Sequence, residues 1–134
     1  MQNVFPHLLS WSLLAPFLLR SVAGAYFVMF GWKALTTEWQ VRKEFFEANG
    51  LPRPEIFATT NGIADLLGGM LLLMGFHTQI VALCLAVVCL IAIISKASGE
   101  KFPLPDIHVY VILLVVLSSL FITGAGYYGM DLPL

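Results

Sequence analysis

Apolar residues in this chain do not alternate with polar ones. They run together in long blocks separated by short polar stretches. A helix needs about 20 mostly apolar residues to cross a hydrocarbon core of about 30 Å, and residues 13–32, 55–76, 79–95 and 107–123 each fit that ruler. In lipid every backbone N–H and C=O must be satisfied within its own segment, and strand-like alternation is absent, so each block is predicted to be a helix. The predicted fold is all-α, an integral membrane four-helix bundle forming one domain over residues 1–134. Punctuation agrees. Pro54 with Glu55 suits the first turn of the second helix, and Pro105 with Asp106 that of the fourth. The turn Gly75-Phe76-His77-Thr78 is so short that the second and third helices are expected to be antiparallel neighbours.

The first loop carries an element of its own. Thr37 and Gln40 have capping-box spacing, Gly50 is a candidate C-cap, and Glu38 with Arg42 and Lys43 with Glu47 are spaced for ion pairs. These signals predict a short helix over 38–49. Its mixture of Trp39, Val41, Phe45 and Phe46 with basic residues suits an interfacial helix lying on a membrane leaflet, with a partner-binding helix as the alternative.

Composition strengthens the membrane reading. The 134 residues are 59% hydrophobic and 11% charged, with a mean hydropathy of +0.87. A water-soluble domain with that composition would expose large apolar patches. A net charge of -1 and a pI near 6.2 provide no basic face for nucleic acid. The charged residues also give an orientation. The first loop holds Lys33, Arg42, Lys43 and Arg53 and the third holds Lys96 and Lys101, whereas the second loop and both tails hold no Lys or Arg. The positive-inside rule then puts the first and third loops in the cytoplasm and both termini outside. Cys84 and Cys89 lie five apart in one apolar block, about 140° around a helix, which makes neither a disulfide framework nor a paired-cysteine zinc site.

A charged side chain within hydrocarbon costs on the order of 2.5–3.5 kcal/mol on insertion scales, so intramembrane ionisable residues are functional candidates. Arg20 and Asp65 are two such residues. Small residues accompany both at helical spacing: Ala23, Gly24 and Gly31 with Arg20, and Gly62, Gly68 and Gly69, together with Asn61, around Asp65. Measured from the cytoplasmic helix ends the two charges lie at similar depth, which predicts an Arg20–Asp65 pair. It is read either as a fixed register pin or as a ligand site, the alternative being that Arg20 snorkels to the outer interface and leaves Asp65 unpartnered. His108, beside Asp106 and Tyr110, is the histidine best placed to face the bundle beneath Asp65, whereas His7 and His77 are expected at the outer surface. No metal-ligand cluster, phosphate loop or nucleophile elbow is present in the sequence, so no metal is expected.

The run Asn61-Gly62-Ile63-Ala64-Asp65-Leu66-Leu67-Gly68-Gly69, followed by leucines and Gly75-Phe76-His77-Thr78, resembles the second-helix signature of the DoxX family. Thr123-Gly124-Ala125-Gly126-Tyr127-Tyr128-Gly129-Met130-Asp131 is similar to that family's terminal Gly-Pro-Gly-x-x-x-x-Asp motif. Gly31-Trp32-Lys33-Ala34-Leu35 and Gly50-Leu51-Pro52-x-Pro54 extend the resemblance. The chain departs from the family pattern with Asp65 in place of Glu, Gln79 in place of Arg and Ala125 in place of Pro. The resemblance implies a four-helix protein of the bacterial inner membrane, linked to membrane oxidoreductases of thiosulfate-to-quinone or thiol redox type. No cofactor is expected within the chain itself, and catalysis by the chain alone is left open.

Three functions remain as expectations. The first is an accessory or anchoring subunit of a redox system, with an oxidoreductase partner and quinone held near Arg20, Asp65 and His108. The second is a small-molecule or lipid transporter using a protonatable Asp65, and the third is a non-catalytic scaffold. The lipid bilayer is a partner in all three, and a homo-oligomer is compatible with each.

Overall fold

The computed structural model describes residues 11, 14–97 and 106–126. Five helices follow in order: α1 (Leu14–Leu35), α2 (Trp39–Ala48), α3 (Pro54–Met74), α4 (Thr78–Ala97) and α5 (Ile107–Thr123). No strand occurs among the described residues. The fold is all-α as expected, and the helix ends fall within a few residues of those read from hydropathy. Helices α1, α3 and α4 are long and apolar enough to cross a membrane, while α5 is a shorter apolar helix of 17 residues. Large apolar side chains cover the outside, with Val22, Ile80, Val115 and Ile122 more than 60% exposed. In water that surface would aggregate, whereas against lipid tails it costs nothing. The chain is a multi-pass membrane protein.

The predicted caps are only partly realised. The Thr37–Gln40 capping box does not form, because α2 starts one residue later, on Glu38, with no side-chain cap. The chain reverses tightly there: the Glu38 N–H bonds Lys33 O, and Thr36 Oγ1 bonds Trp32 O. Gly50 does close α2. It takes a left-handed φ of 70°, and the pair of bonds from Gly50 N to Glu47 O and from Leu51 N to Phe46 O satisfies the last carbonyls. Pro54 opens α3 as expected, after Arg53 in a left-handed conformation. At the other end the Gly75–His77 turn leads directly into α4.

Helix α1 packs most extensively on α3, and α4 on α5. The α1–α3 contact is made backbone to backbone. A methyl group on Gly69 would lie 2.6 Å from Val28 N and 2.8 Å from Gly24 O, closer than any side chain could settle. Small residues at this interface let the two helices gain dispersion contacts along their length, which is what holds helices together where lipid removes the hydrophobic drive. These contacts also fix the register. Gly31 faces Leu66, and Gly62 faces Ala34 and Leu35. The last residue of α1 therefore stands level with Gly62, and α3 runs on for about two further turns to Pro54. Helix α2 packs beside that overhang. On the other side of α3, Gly68 accommodates Leu85 of α4, and Leu85, Cys89, Leu113, Leu117 and Leu120 join Ala23, Phe27 and Leu72 in a common core.

Candidate functional site

The packing of α2 beside the α3 overhang brings several polar side chains together inside the bundle. On α2, Trp39, Arg42, Phe45 and Phe46 share one face at helical spacing. Trp39 Nε1 donates to Thr59 Oγ1 of α3 at 3.1 Å, and Lys43 Nζ meets Glu55 Oε1 at 2.8 Å. These two contacts pin the helix along α3 and turn its aromatic face inward. The Glu55 carboxylate holds the Lys43 ammonium above its ordinary pKa.

Arg42, at 3% exposure, is carried into the bundle by that rotation. Its Nη1 donates to Asn61 Oδ1 at 2.5 Å and lies 3.9 Å from Asp65 Oδ2, while Nη2 lies 3.5 Å from Glu38 Oε2. Asn61 and Asp65 are one helical turn apart on α3, so both reach the same guanidinium. Asp65 is 6% exposed, and neither its Oδ1 nor Arg42 Nε has a hydrogen-bond partner among the described residues.

These groups form the polar end of a cavity of about 280 Å³. Its walls are aromatic: Phe27 and Phe30 from α1, Phe45 and Phe46 from α2, Phe57 from α3 and Tyr110 from α5. Thr60 and Ala64 of α3 and Val88, Ile91, Ala92 and Ser95 of α4 complete them. Phe57 and Ile91 are also exposed on the outside of the bundle, so the cavity opens sideways toward the membrane phase. An apolar pocket with a few convergent polar groups is the usual form of a small-molecule site.

The structure brings Asn61 and Asp65 together, as the sequence leads one to expect, but it does not form the Arg20–Asp65 pair. The reason is register. Asp65 is level with Gly31, eleven residues from Arg20 along α1, or about 16 Å at 1.5 Å per residue. Arg20 is 1% exposed and donates from Nη1 to the backbone carbonyl of Ala125, just past α5, at 2.8 Å. Its guanidinium also lies over the Phe17 ring, 5.4 Å from the centroid. His108 does not face the bundle; it is exposed. Tyr110, two residues and about 200° further round α5, takes the inward position. His77 is exposed and packs edge-on against Phe76, and His7 lies outside the described residues.

Arg42 is the residue that sequence reasoning missed. Its signal was present: it sits three residues after Trp39 and three before Phe45, in the middle of the apolar face of α2. A cation there has to be swallowed or matched. The expected Glu38–Arg42 pair does form. Cys84 and Cys89 are both free thiols, and no cluster of three or more His, Cys, Asp or Glu able to hold a metal occurs among the described residues.

The DoxX family model covers residues 15–97, a stretch that takes in α1 to α4 and the polar end of the cavity. No curated protein and no solved structure matches the chain.

Proposed function

The chain belongs to the DoxX family, and on that premise we propose that it is an accessory membrane subunit of a redox system of quinone-linked or thiol/sulfur type. It holds a quinone-class headgroup in the aromatic cavity for an oxidoreductase partner that carries the electron chemistry. In this reading the protein lies in a bacterial inner membrane with α2 on the cytoplasmic side, where the positive loops belong. One observation carries the proposal: a sideways-opening aromatic cavity ends on Arg42, Asn61 and Asp65 inside an otherwise apolar bundle. The ring enters the walls, the polar substituents meet those three side chains, and an isoprenoid-like tail leaves past Phe57 and Ile91 into lipid.

Native mass spectrometry of the gently extracted protein tests this reading. A copurifying oxidoreductase or a quinone-sized adduct supports it. A bare monomer or homo-oligomer carrying only phospholipid contradicts it.

A second reading, a carrier that cycles a proton on Asp65, is favoured by the buried Oδ1 that no described residue bonds. It predicts pH-linked flux in proteoliposomes that Asp65→Asn abolishes. Flux equal in both proteins, or none in either, removes it.

A further inference from the structure

We infer that the cavity selects a ring compound whose polar head donates a hydrogen bond, a phenol or hydroquinone hydroxyl, over rings that only accept hydrogen bonds and over anions. This deepens the quinone-headgroup reading and rests on its claim that a ring occupies this cavity.

The charge count excludes anions first. Arg42 is flanked by the carboxylates of Glu38 at 3.5 Å and Asp65 at 3.9 Å, so the three groups together carry one negative charge. Of the nearby cations, Lys43 is paired with Glu55, and Lys96, over the ring of the wall residue Tyr110 at 5.8 Å, does not itself line the cavity. A carboxylate or phosphate head would meet an arginine already claimed and an acidic neighbour.

The hydrogen-bond inventory then separates donors from acceptors. A carboxylate paired with arginine only accepts. Asp65 lines the cavity as an acceptor-only group, so a ligand that brings it a proton donor gains a bond there that an acceptor does not. A quinone carbonyl or an ether oxygen has none to give. A hydroxyl donates to Asp65 and keeps its lone pairs for an N–H of Arg42 or Asn61, which line the cavity beside it. A site built to bond a hydroxyl discriminates strongly against an analogue lacking it, because its own buried group is left unpaired.

The size and walls select the body. A cavity of roughly 150 Å³ holds benzene, so about 280 Å³ takes one substituted ring. Aromatic residues from four helices offer edge and face contacts to it.

The test is calorimetric titration of the full chain in lipid nanodiscs, with empty nanodiscs to correct for partitioning into lipid. Four probes share one body: 4-butylphenol, its methyl ether 4-butylanisole, 4-butylbenzoate and 4-butylbenzylammonium. We expect the phenol to bind at least about tenfold more tightly than the ether, with no binding of the benzoate. Asp65→Leu should erase the phenol–ether difference. Because that variant alters a buried charge and can misfold, the wild-type ligand series stands without it. Equal affinity for phenol and ether, or tightest binding by the benzoate or by 4-butylbenzylammonium, overturns the inference. Methylhydroquinone and methylbenzoquinone separate it from the reading beneath. If both bind equally, the donor requirement fails and the ring site stands. If no ring compound binds beyond the lipid blank, both fall.

Discussion

Two arginines are buried in this bundle, and they do opposite things. Arg20 lies in the middle of an apolar helix, where a charge is most conspicuous in the sequence, and it ends on the backbone carbonyl of Ala125. It ties α1 to the chain just beyond α5 and is not among the residues that line the aromatic cavity. Arg42 lies in a short loop helix, where a cation looks ordinary, and it is turned inward to Asn61, Asp65 and a cavity. Depth along a hydropathy profile is therefore a poor guide to which charge faces a ligand. What separates the two is the environment each finished helix supplies: a backbone carbonyl at one end, and a carboxylate with spare accepting capacity at the other.

The largest effect expected from breaking this contrast comes from Arg42→Leu. It leaves Asp65 buried without its cation, a change that costs about 3–5 kcal/mol in buried pairs. Adding Asp65→Leu to it should restore most of that stability, since an apolar replacement of both partners is often neutral, while ligand binding stays lost. Denaturation in mixed micelles checks both variants. Arg20→Leu should cost less, about 1.5–3 kcal/mol for one charge-assisted hydrogen bond. It should leave ring-ligand affinity at the opposite end of the bundle unchanged, and a parallel loss of binding would show that the two ends are not independent.

Gly69→Ala addresses the frame that keeps them apart. The added methyl would press on Val28 N and Gly24 O, forcing α1 from α3 at a cost of about 1–3 kcal/mol. Trp39→Phe is milder. Losing the bond to Thr59 should cost about 1 kcal/mol and appear as faster hydrogen exchange in α2, with α1 and α4 unchanged.

The smallest effect is a pH dependence of α2 docking. The Lys43 pKa is raised by Glu55, so its contribution is fully present below the ordinary lysine value of 10.5 and lost as pH rises through the higher folded value. Exchange in α2 should therefore be flat from neutral pH to about 9 after correction for intrinsic rates, and should rise only in strong alkali. In Lys43→Gln that rise should be absent.

Much of this architecture was legible in the sequence, because lipid imposes a length on every helix and small residues mark where helices touch. Residues 55–76 were read as a span and α3 covers Pro54–Met74. Ala23, Gly24 and Gly31, the small residues that accompany Arg20, are buried, and so are Gly62, Gly68 and Gly69. Asp65 was singled out for its burial cost, and its burial is observed. What failed was rotation and register. Helix α5 is apolar on all sides, so nothing local distinguished His108 from Tyr110 as the inward residue. The Arg20–Asp65 pairing assumed that α1 and α3 begin at a common level, whereas the contact of Gly62 with Leu35 sets α3 two turns lower. Arg42 lies in a loop helix, where basic residues commonly meet headgroups, and only its three-residue spacing from Trp39 and Phe45 puts it on the apolar face.

The most direct measurement is photoaffinity labelling of the wild-type protein in nanodiscs with a 4-alkylphenol bearing a diazirine on its alkyl chain, followed by peptide mapping. Among the described residues, two apolar recesses of similar size can be compared. One is the cavity at Arg42 and Asp65, and the other is a groove of about 240 Å³ between α1 and α5 lined by Leu19, Val22, Tyr26, Val109 and Ile112. The polar end at Arg42, Asn61 and Asp65 predicts labels on peptides carrying Phe45, Phe46, Phe57 or Ile91, competed away by unlabelled 4-butylphenol. Labels concentrated on Val22 and Ile112, or spread without competition over the lipid-facing surface, would contradict it.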